Sequence, residues 1–450
     1  MPLLPSPGSA PPRNCSPFST KSPNFMPRPL NFCMITTFYP PYSFGGDAIY
    51  LHRLCQELAR AGHQVDVIHC ADSYRLFRAD PGAPNLPQRD GITVHKLESG
   101  YGALSPLLSH QTGYPLLKAD RIRRVFESRR FDVIHYHNIS LFGPAVLELE
   151  PGYSGWVKCY TMHEHWLICP VNVLWKYNRR ACEKPDCFTC TLISRRPPQL
   201  WRYTGLRDRA ARSVDQFFSP SRFTRDMHHK RGFPYPIEPL PYFLDRVDQD
   251  WKSPGPPPQP RPYFLFVGRL EKIKGLQDVI PEFAGEGDYD LLVSGSGTYE
   301  GELRRQAQGT PRVKFLGWAP QDRIGPYYHH ALGVIVSSIT YDTFCIIIIE
   351  AFARKTPVIV HDLGALPEVV YDSGGGYVYR TREELWRAMK LLAEQPVLRR
   401  ELGERGYDAF CRLWSTEPHL QLYFRFIHEA ARRKYGRVEW EADPIPCPSS

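Results

Sequence analysis

Asp342 and Glu350 stand eight residues apart in the segment YDTFCIIIIEAFARKTPVIV. The intervening Ile346 to Ile349 are too apolar for a surface. The run AFARK after Glu350 reads as the first turns of a helix, and TPVIV as a buried parallel strand. One acid is therefore expected in a loop, the other where an apolar segment opens a helix. Carboxylates are seldom buried unless paired or hydrogen-bonded. Two of them along one crevice suit a polyhydroxyl ligand, because a carboxylate accepts from two vicinal hydroxyls at once. A helix N-terminus beside them holds phosphate. Hydroxyls and phosphates together point to a sugar nucleotide.

A second constellation follows the apolar strand YFLFV, in Gly268-Arg269-Leu270-Glu271-Lys272-Ile273-Lys274-Gly275. Arg269 and Lys274 are five apart at the strand's carboxyl end. A guanidinium fork and an ammonium there suit a pyrophosphate. A solvated basic loop is the plainer alternative, and the position after a buried strand weighs against it. Gly295 and Gly297, after YDLLVS, permit close backbone approach, as a simple turn also would. Gly317-Trp318 could edge a nucleobase pocket. Gly45-Gly46 precedes a helix, where close approach of a substrate and the helix dipole would combine; a plain turn is equally consistent. His137 and His163 end two consecutive strands, where a lone histidine is more often structural than functional; the sharper reading places His163, followed by Glu164, at a cleft facing a reacting sugar.

Cys169, Cys182, Cys187 and Cys190 have the number and rough spacing of a four-thiolate structural zinc site. Reduced thiols or a disulfide fit as well. Between Arg195 and Arg231 there are nine Arg and one Lys against three Asp. Solvated helix faces explain that, and contact with an anionic membrane or a lipid-diphosphate acceptor is the sharper reading.

These residues need a scaffold. Strand-like and helix-like segments alternate from LNFCMITT through DQFFSPS, and again from YFLFVGRL through TPVIVHD. Such alternation means α/β domains with parallel sheets covered on both faces. Ligands of these sheets bind outside the carboxyl ends of the strands. The Pro-rich stretch WKSPGPPPQPRP, residues 251–262, is the strongest linker signal. The expected organisation is a Pro/Ser-rich disordered leader over 1–28, with Met26 an alternative start. A domain over 29–250, the linker, a domain over 263–415, a helix over 416–435 that crosses back to the first domain, and a tail over 436–450 follow.

A length of 450 residues suits two domains. The formal charge of +9 fits an anionic small ligand or a membrane surface and does not demand nucleic acid. No apolar run approaches transmembrane length, and the N-terminus lacks a secretory apolar core. Cys55, Cys70, Cys159 and Cys411 read as small buried hydrophobes in a reducing cytosol.

Taken together, FYPPYSFGGDAIYLHRLCQELARAGHQVDV, FDVIHYHN, TMHEHWLICP, FVGRLEKIKGLQDVI, VSGSGTYEGELR, VKFLGW and YDTFCIIIIEAFARKTPVIV resemble the glycogen-synthase-like retaining glycosyltransferases of family 4. The resemblance covers roughly residues 31–435. It implies the GT-B fold, two tandem Rossmann-like, doubly wound domains facing a cleft. It also implies a nucleoside-diphosphate sugar donor and an anomer-retaining transfer to an acceptor that is a glycan, a lipid-linked sugar or a small molecule. Cell-envelope polysaccharide synthesis at the cytoplasmic side, peripheral to a membrane, is the implied setting.

By the same resemblance Arg269 and Lys274 bind the donor diphosphate and Glu350 the ribose. Asp342 contacts the donor sugar together with Thr343, Phe344, Cys345 and Ile346. The loop of Gly45 and Gly46, and His163, lie across the cleft. No metal cofactor is implied for catalysis, since two cations replace it. The family usually has Glu at Asp342 and often Gly at Cys345, so the sugar fit is in question. A sugar-nucleotide epimerase and a catalytically silent sugar-nucleotide-binding protein are the rival readings.

Overall fold

Uninterrupted apolar runs such as NFCMI, VIHY and YFLFV cannot leave one face in water, so each strand must lie inside a sheet covered on both sides. The computed structural model describes residues 28–78, 86–245 and 255–436. The first sheet has seven strands, all parallel: β1 (Asn31–Ile35), β2 (Gln64–Cys70), β3 (Ile92–Leu97), β4 (Val133–Tyr136), β5 (Val157–Thr161), β8 (Gln216–Ser219) and β9 (Ile237–Pro239). Between β5 and β8 the chain makes a small antiparallel hairpin, β6 (Trp175–Lys176) with β7 (Arg180–Ala181). The second sheet has six parallel strands: β10 (Tyr263–Val267), β11 (Asp290–Ser294), β12 (Val313–Gly317), β13 (Gly333–Val336), β14 (Val358–His361) and β15 (Gly376–Tyr379).

Strand order is 3-2-1-4-5-8-9 in the first sheet and 12-11-10-13-14-15 in the second. Both are doubly wound, with the reversal of direction between β1 and β4, and between β10 and β13. Side chains alternate across each sheet. Cys33 and Ile35 pack into one core and Phe32 and Met34 into the opposite one. Tyr263 and Leu265 divide from Phe264 and Phe266 in the same way. At each reversal the two following loops diverge and leave a crevice above the carboxyl ends of the strands. The loops after β1, β4, β10 and β13 are those that carry the residues singled out above.

The long C-terminal helix, Thr416–Tyr435, lies on the first lobe. Leu420, Tyr423, Phe426 and Ile427 enter the same core as Phe32 and Leu51. Tyr423 shares a hydrogen bond of 2.8 Å with His135 Nδ1, and Tyr50 one of 3.2 Å with His419 Nε2.

Residues 1–27, 246–254 and 437–450 lie outside the described residues, and with them most of the expected leader and tail and the first part of the linker. Two expectations change. The helix around Glu350 is Ile346–Phe352, so the isoleucines form its first turns and Glu350 lies near its C-terminal end. Four consecutive isoleucines read as too apolar for a surface, yet only Ile348 and Ile349 are buried, as one face of a helix requires. Cys411 is half-buried and disulfide-bonded, whereas Cys55, Cys70 and Cys159 are buried free thiols. Among the described residues no helix is long and apolar enough to cross a membrane.

Candidate functional site

The loop after β10 leaves Gly268 and passes through Arg269 to a single turn at Lys272–Lys274. Its path is fixed by the neighbouring loop after β11. Gly268 N–H donates to Ser294 O at 3.0 Å, and Leu270 N–H to Ser296 O at 2.9 Å. A side chain on Gly295, at φ +147°, would collide with the Gly268 carbonyl, and one on Gly297 with the Leu270 carbonyl. The close approach that these glycines permit is therefore to the loop that carries Arg269. Gly317 joins the same stack, accepting from Gly295 N–H at 2.9 Å, and Trp318 beside it is largely exposed.

Lys274 turns toward the loop after β13. Its ammonium lies 2.8 Å and 2.9 Å from the two carboxylate oxygens of Asp342 and 3.4 Å from Ser338 Oγ. A cation from one loop and an acid from the next are thus joined at the reversal point of the second sheet. Arg269 is exposed, and its charge is felt by Asp47, which opens the first helix of the other lobe (Gly46–Arg60). Cys345, the residue before the glutamate helix, lies within electrostatic reach of Asp342 and Lys274, and burial pushes its thiol up to about 12. Glu350 sits at the far end of that helix. Its Oε2 accepts from Tyr328 OH at 2.7 Å, and its Oε1 faces the guanidinium of Arg53 from the first lobe at 4.0 Å.

The first lobe grips the Asp342 loop directly. Thr340 Oγ1 donates to Val173 O at 2.9 Å, and Thr343 Oγ1 to His163 O at 2.8 Å. Ser221 Oγ donates to Thr343 O at 2.7 Å. A Cβ on Gly46 would stand 3.2 Å from Ile346 Cδ1, so the glycine loop touches the start of the glutamate helix. Phe344 packs on Tyr242, with ring centroids 5.2 Å apart. The backbone N–H groups of Arg222 and Phe223 meet the carboxylate of Glu368 across the lobes at 2.9 Å and 3.0 Å.

His163 is placed differently from expectation. It is only 6 % exposed, and both ring nitrogens are engaged, Nε2 with His137 Nδ1 at 2.9 Å and Nδ1 with Tyr242 OH at 2.5 Å. Burial drops it to about 3, so the ring is neutral. It meets the cleft through its backbone carbonyl, held by Thr343. His137 is deeper still, 1 % exposed in the same stack.

Two acids and two amides that the sequence did not single out complete the cleft wall. Asn138 Nδ2 donates to Asp47 Oδ2 at 3.2 Å. Asn172 Nδ2 donates to Glu164 Oε2 at 2.7 Å. Burial raises the Asp47 carboxyl against the pull of Asn138, backbone N–H groups and Arg269. Burial, then the nearby Asp47, raise Glu164 to about 8. The available signals were a charged residue directly after Gly45-Gly46 and a second titratable group beside the strand-end histidine.

Cys169, Cys182, Cys187 and Cys190 line one small cavity of about 10 Å³. All four are free thiols, and among the described residues no group of three or more His, Cys, Asp or Glu is set to hold a metal ion. Cys190 Sγ accepts from Tyr177 N–H at 3.4 Å, and Cys182 Sγ lies 3.7 Å from Lys184 O. The basic stretch is largely consumed by the fold. Arg209 pairs with Glu148, Arg222 with Asp372, and the Arg202 guanidinium lies over Trp201 at 4.6 Å and Trp166 at 5.2 Å.

Two family models match the chain in tandem. The model for Glycosyltransferase Family 4 matches residues 44–246, and that for Glycosyl transferases group 1 matches residues 247–409. The chain belongs to the family-4 glycosyltransferases. An uncharacterized glycosyltransferase of Methanocaldococcus jannaschii is 24% identical over 374 residues, 78% of this chain and 85% of the relative. The glycogen synthase of Mycobacterium tuberculosis is 22% identical over 386 residues, 77% of this chain and 81% of the relative. Among solved structures, sucrose-phosphate synthase from Thermosynechococcus elongatus superposes with a TM-score of 0.66 at 18% identity, covering 90% of this chain and 99% of that one. The Anabaena protein HepE in complex with UDP does so with a TM-score of 0.60 at 14% identity, covering 89% and 100%. This family-4 glycosyltransferase therefore has the GT-B fold, with the candidate site at the facing ends of its two sheets.

Proposed function

We propose that the chain transfers a glycosyl group from a nucleoside-diphosphate sugar to an acceptor hydroxyl with retention of anomeric configuration. The observation that carries this is the pairing of Lys274 with Asp342 at the reversal point of the second sheet. That pair sits beside Arg269, whose guanidinium has no carboxylate partner among the described residues. A diphosphate entering there would meet two cations on one loop, and the guanidinium can clasp it with two N–H groups. HepE, a protein of the same fold, was solved with UDP and with UDP-glucose, which supports a nucleotide-sugar donor here.

In the proposed reaction the bond between the anomeric carbon and the phosphate oxygen breaks first. Negative charge grows on the departing diphosphate, and Arg269 and Lys274 stabilise it as it grows. Asp342 holds Lys274 in place and presents its remaining lone pairs toward the sugar. Glu350, oriented by Tyr328, accepts from the ribose hydroxyls. The acceptor oxygen bonds to the anomeric carbon on the face that the phosphate leaves, and its proton passes to the departing phosphate oxygen. His163 is a positioning residue: its carbonyl holds Thr343, and its ring locks that carbonyl through His137 and Tyr242. No metal is required for these steps, because fixed cations supply the charge.

Calorimetric titration of nucleoside diphosphates tests the donor site. Arg269→Ala and Lys274→Ala are each expected to weaken binding by roughly 10- to 100-fold, the worth of a charge-assisted contact. Unchanged affinity in both variants would refute the placement of the diphosphate.

A further inference from the structure

The first lobe holds a cavity of about 300 Å³ that the donor chemistry leaves unused. Its walls come from the carboxyl ends of the first sheet, through Phe38, Leu141 and Trp166, and from the flanking Leu76, Phe77 and Leu107. The size is at the lower end for small-molecule sites, and such sites are mostly apolar with a few placed polar groups. Two polar threads lead from this cavity to the cleft acids. Asn172, in the wall, donates to Glu164 at 2.7 Å. Ser140, also in the wall, donates to Asn138 Oδ1 at 2.7 Å, and Asn138 donates to Asp47 at 3.2 Å. The cavity therefore abuts both cleft acids, of which Asp47 feels the charge of Arg269.

Its charge is one-sided. Among the described residues no carboxylate lines it. Arg196 stands exposed in the lining, without a carboxylate partner among the described residues, and its charge reaches both His110 and Glu164. Behind Trp166 lies the guanidinium of Arg202, whose Nη2 is buried with no hydrogen-bond acceptor. A buried N–H without an acceptor is costly, and it favours an anion nearby. At the mouth, Phe77 is 61% exposed and Leu107 43% exposed, so apolar surface continues from the cavity into solvent. Exposed apolar surface joined to a pocket marks a binding site.

We propose that this cavity seats the acceptor, and that the acceptor is an anionic amphiphile. Its apolar segment lies against Phe77, Leu107 and Trp166, its acidic group meets Arg196, and its hydroxyl reaches the acids Asp47 and Glu164 opposite the donor. The inference rests on the glycosyltransferase reading above and adds the acceptor's chemical class to it.

The test uses the full chain and three hydroxyl-bearing probes: a hydroxyalkyl phosphate of eight carbons, octyl glucoside as a neutral amphiphile, and glucose 6-phosphate as an anion without a tail. A hydroxyalkyl carboxylate of the same length separates phosphate from carboxylate recognition. Binding is read by titration in the presence of a nucleoside diphosphate, and transfer by product formation. The anionic amphiphiles are expected to bind at least about tenfold more tightly than the other two. Arg196→Ala is expected to cost roughly tenfold for them alone, and Leu107→Glu to weaken every tailed probe. Both positions are exposed, and a thermal melt of each variant verifies folding. Equal binding of all probes, or variants that leave the preference intact, overturns the inference. Should the chain bind nucleoside diphosphates but show no preference among the probes, only the acceptor class falls. Should it bind no nucleoside diphosphate at all, the glycosyltransferase reading falls first.

Discussion

Glu164→Gln isolates the most perturbed acid of the cleft. In the folded chain burial and Asp47 move this carboxyl from 4.5 to about 8. At 1.36 kcal/mol per pH unit, that corresponds to at most about 5 kcal/mol against its ionised form. Glu164 keeps partial contact with solvent, so screening reduces the expected effect to about 1–2 kcal/mol. The sign follows from proton linkage. Between pH 4.5 and 8 the folded chain holds a proton that the unfolded chain has released, so this group's contribution to stability falls as pH rises. Below that window the carboxyl is neutral in both states and costs nothing. Above it the folded chain carries the full penalty. Gln cannot ionise, and its amide oxygen can still accept from Asn172. The variant is therefore expected to match the wild type at pH 4.5 and to exceed it by about 1–2 kcal/mol at pH 9. Urea unfolding at both pH values measures this, and subtracting variant from wild type cancels every other titration. Asp47→Asn should flatten part of the same slope, since the Asp47 charge is the second cause of the shift. An equal difference at both pH values, or a variant less stable at pH 9 than at pH 4.5 relative to wild type, would refute the reasoning.

Three further outcomes are expected. Asp342→Ala should lower turnover roughly 100-fold by releasing Lys274, while Asp342→Glu should retain most of it; three identical rates in a steady-state assay would remove the acid from the chemistry. Excess chelator should leave the initial rate within about twofold, because in the proposed reaction Arg269 and Lys274 supply the charge that a metal would; a rate restored only by added Mg²⁺ would count against this. Gly295→Ala should lower stability by about 1–3 kcal/mol and weaken nucleoside-diphosphate binding as well, since it displaces the loop of Arg269; a thermal melt and a titration together check it.

The two-sheet architecture was legible because parallel strands buried on both faces write themselves as continuous apolar runs. Short edge strands write no such run: β9 is three residues and β15 reads GYVY, so neither stood out. The candidate-site residues of the second lobe were legible for a related reason. Arg269, Lys274 and Asp342 lie on the loops that follow conspicuous strands, and the loops on either side of a reversal point border one crevice whatever their composition. The other lobe was harder. Its wall is made of Asp47 at the start of a helix, Asn138 after β4, and Glu164 and Asn172 after β5, polar residues whose meeting depends on tertiary packing. His163 was found by position but not by orientation. A sequence shows that a histidine ends a strand, not that His137 and Tyr242 occupy both its nitrogens.

The departure at Asp342 shows how backbone placement can offset a shortened side chain. An aspartate carries its carboxylate one methylene nearer the main chain than a glutamate, so in a free loop it would fall short of the sugar. Here the loop is not free. Thr340, Tyr341 and Thr343 each bond to the first lobe, at Val173 O, His165 and His163 O. The Ala365 N–H donates to Asp342 O at 3.0 Å. These contacts fix the backbone on both sides of Asp342, and both of its carboxylate oxygens reach Lys274. The first lobe thus sets the position of a donor-lobe acid. Weakening that grip, for instance by removing the Thr343 hydroxyl, should impair turnover more than nucleoside-diphosphate affinity, because Arg269, proposed to clasp the diphosphate, sits on a loop to which the first lobe makes no hydrogen bond among the described residues.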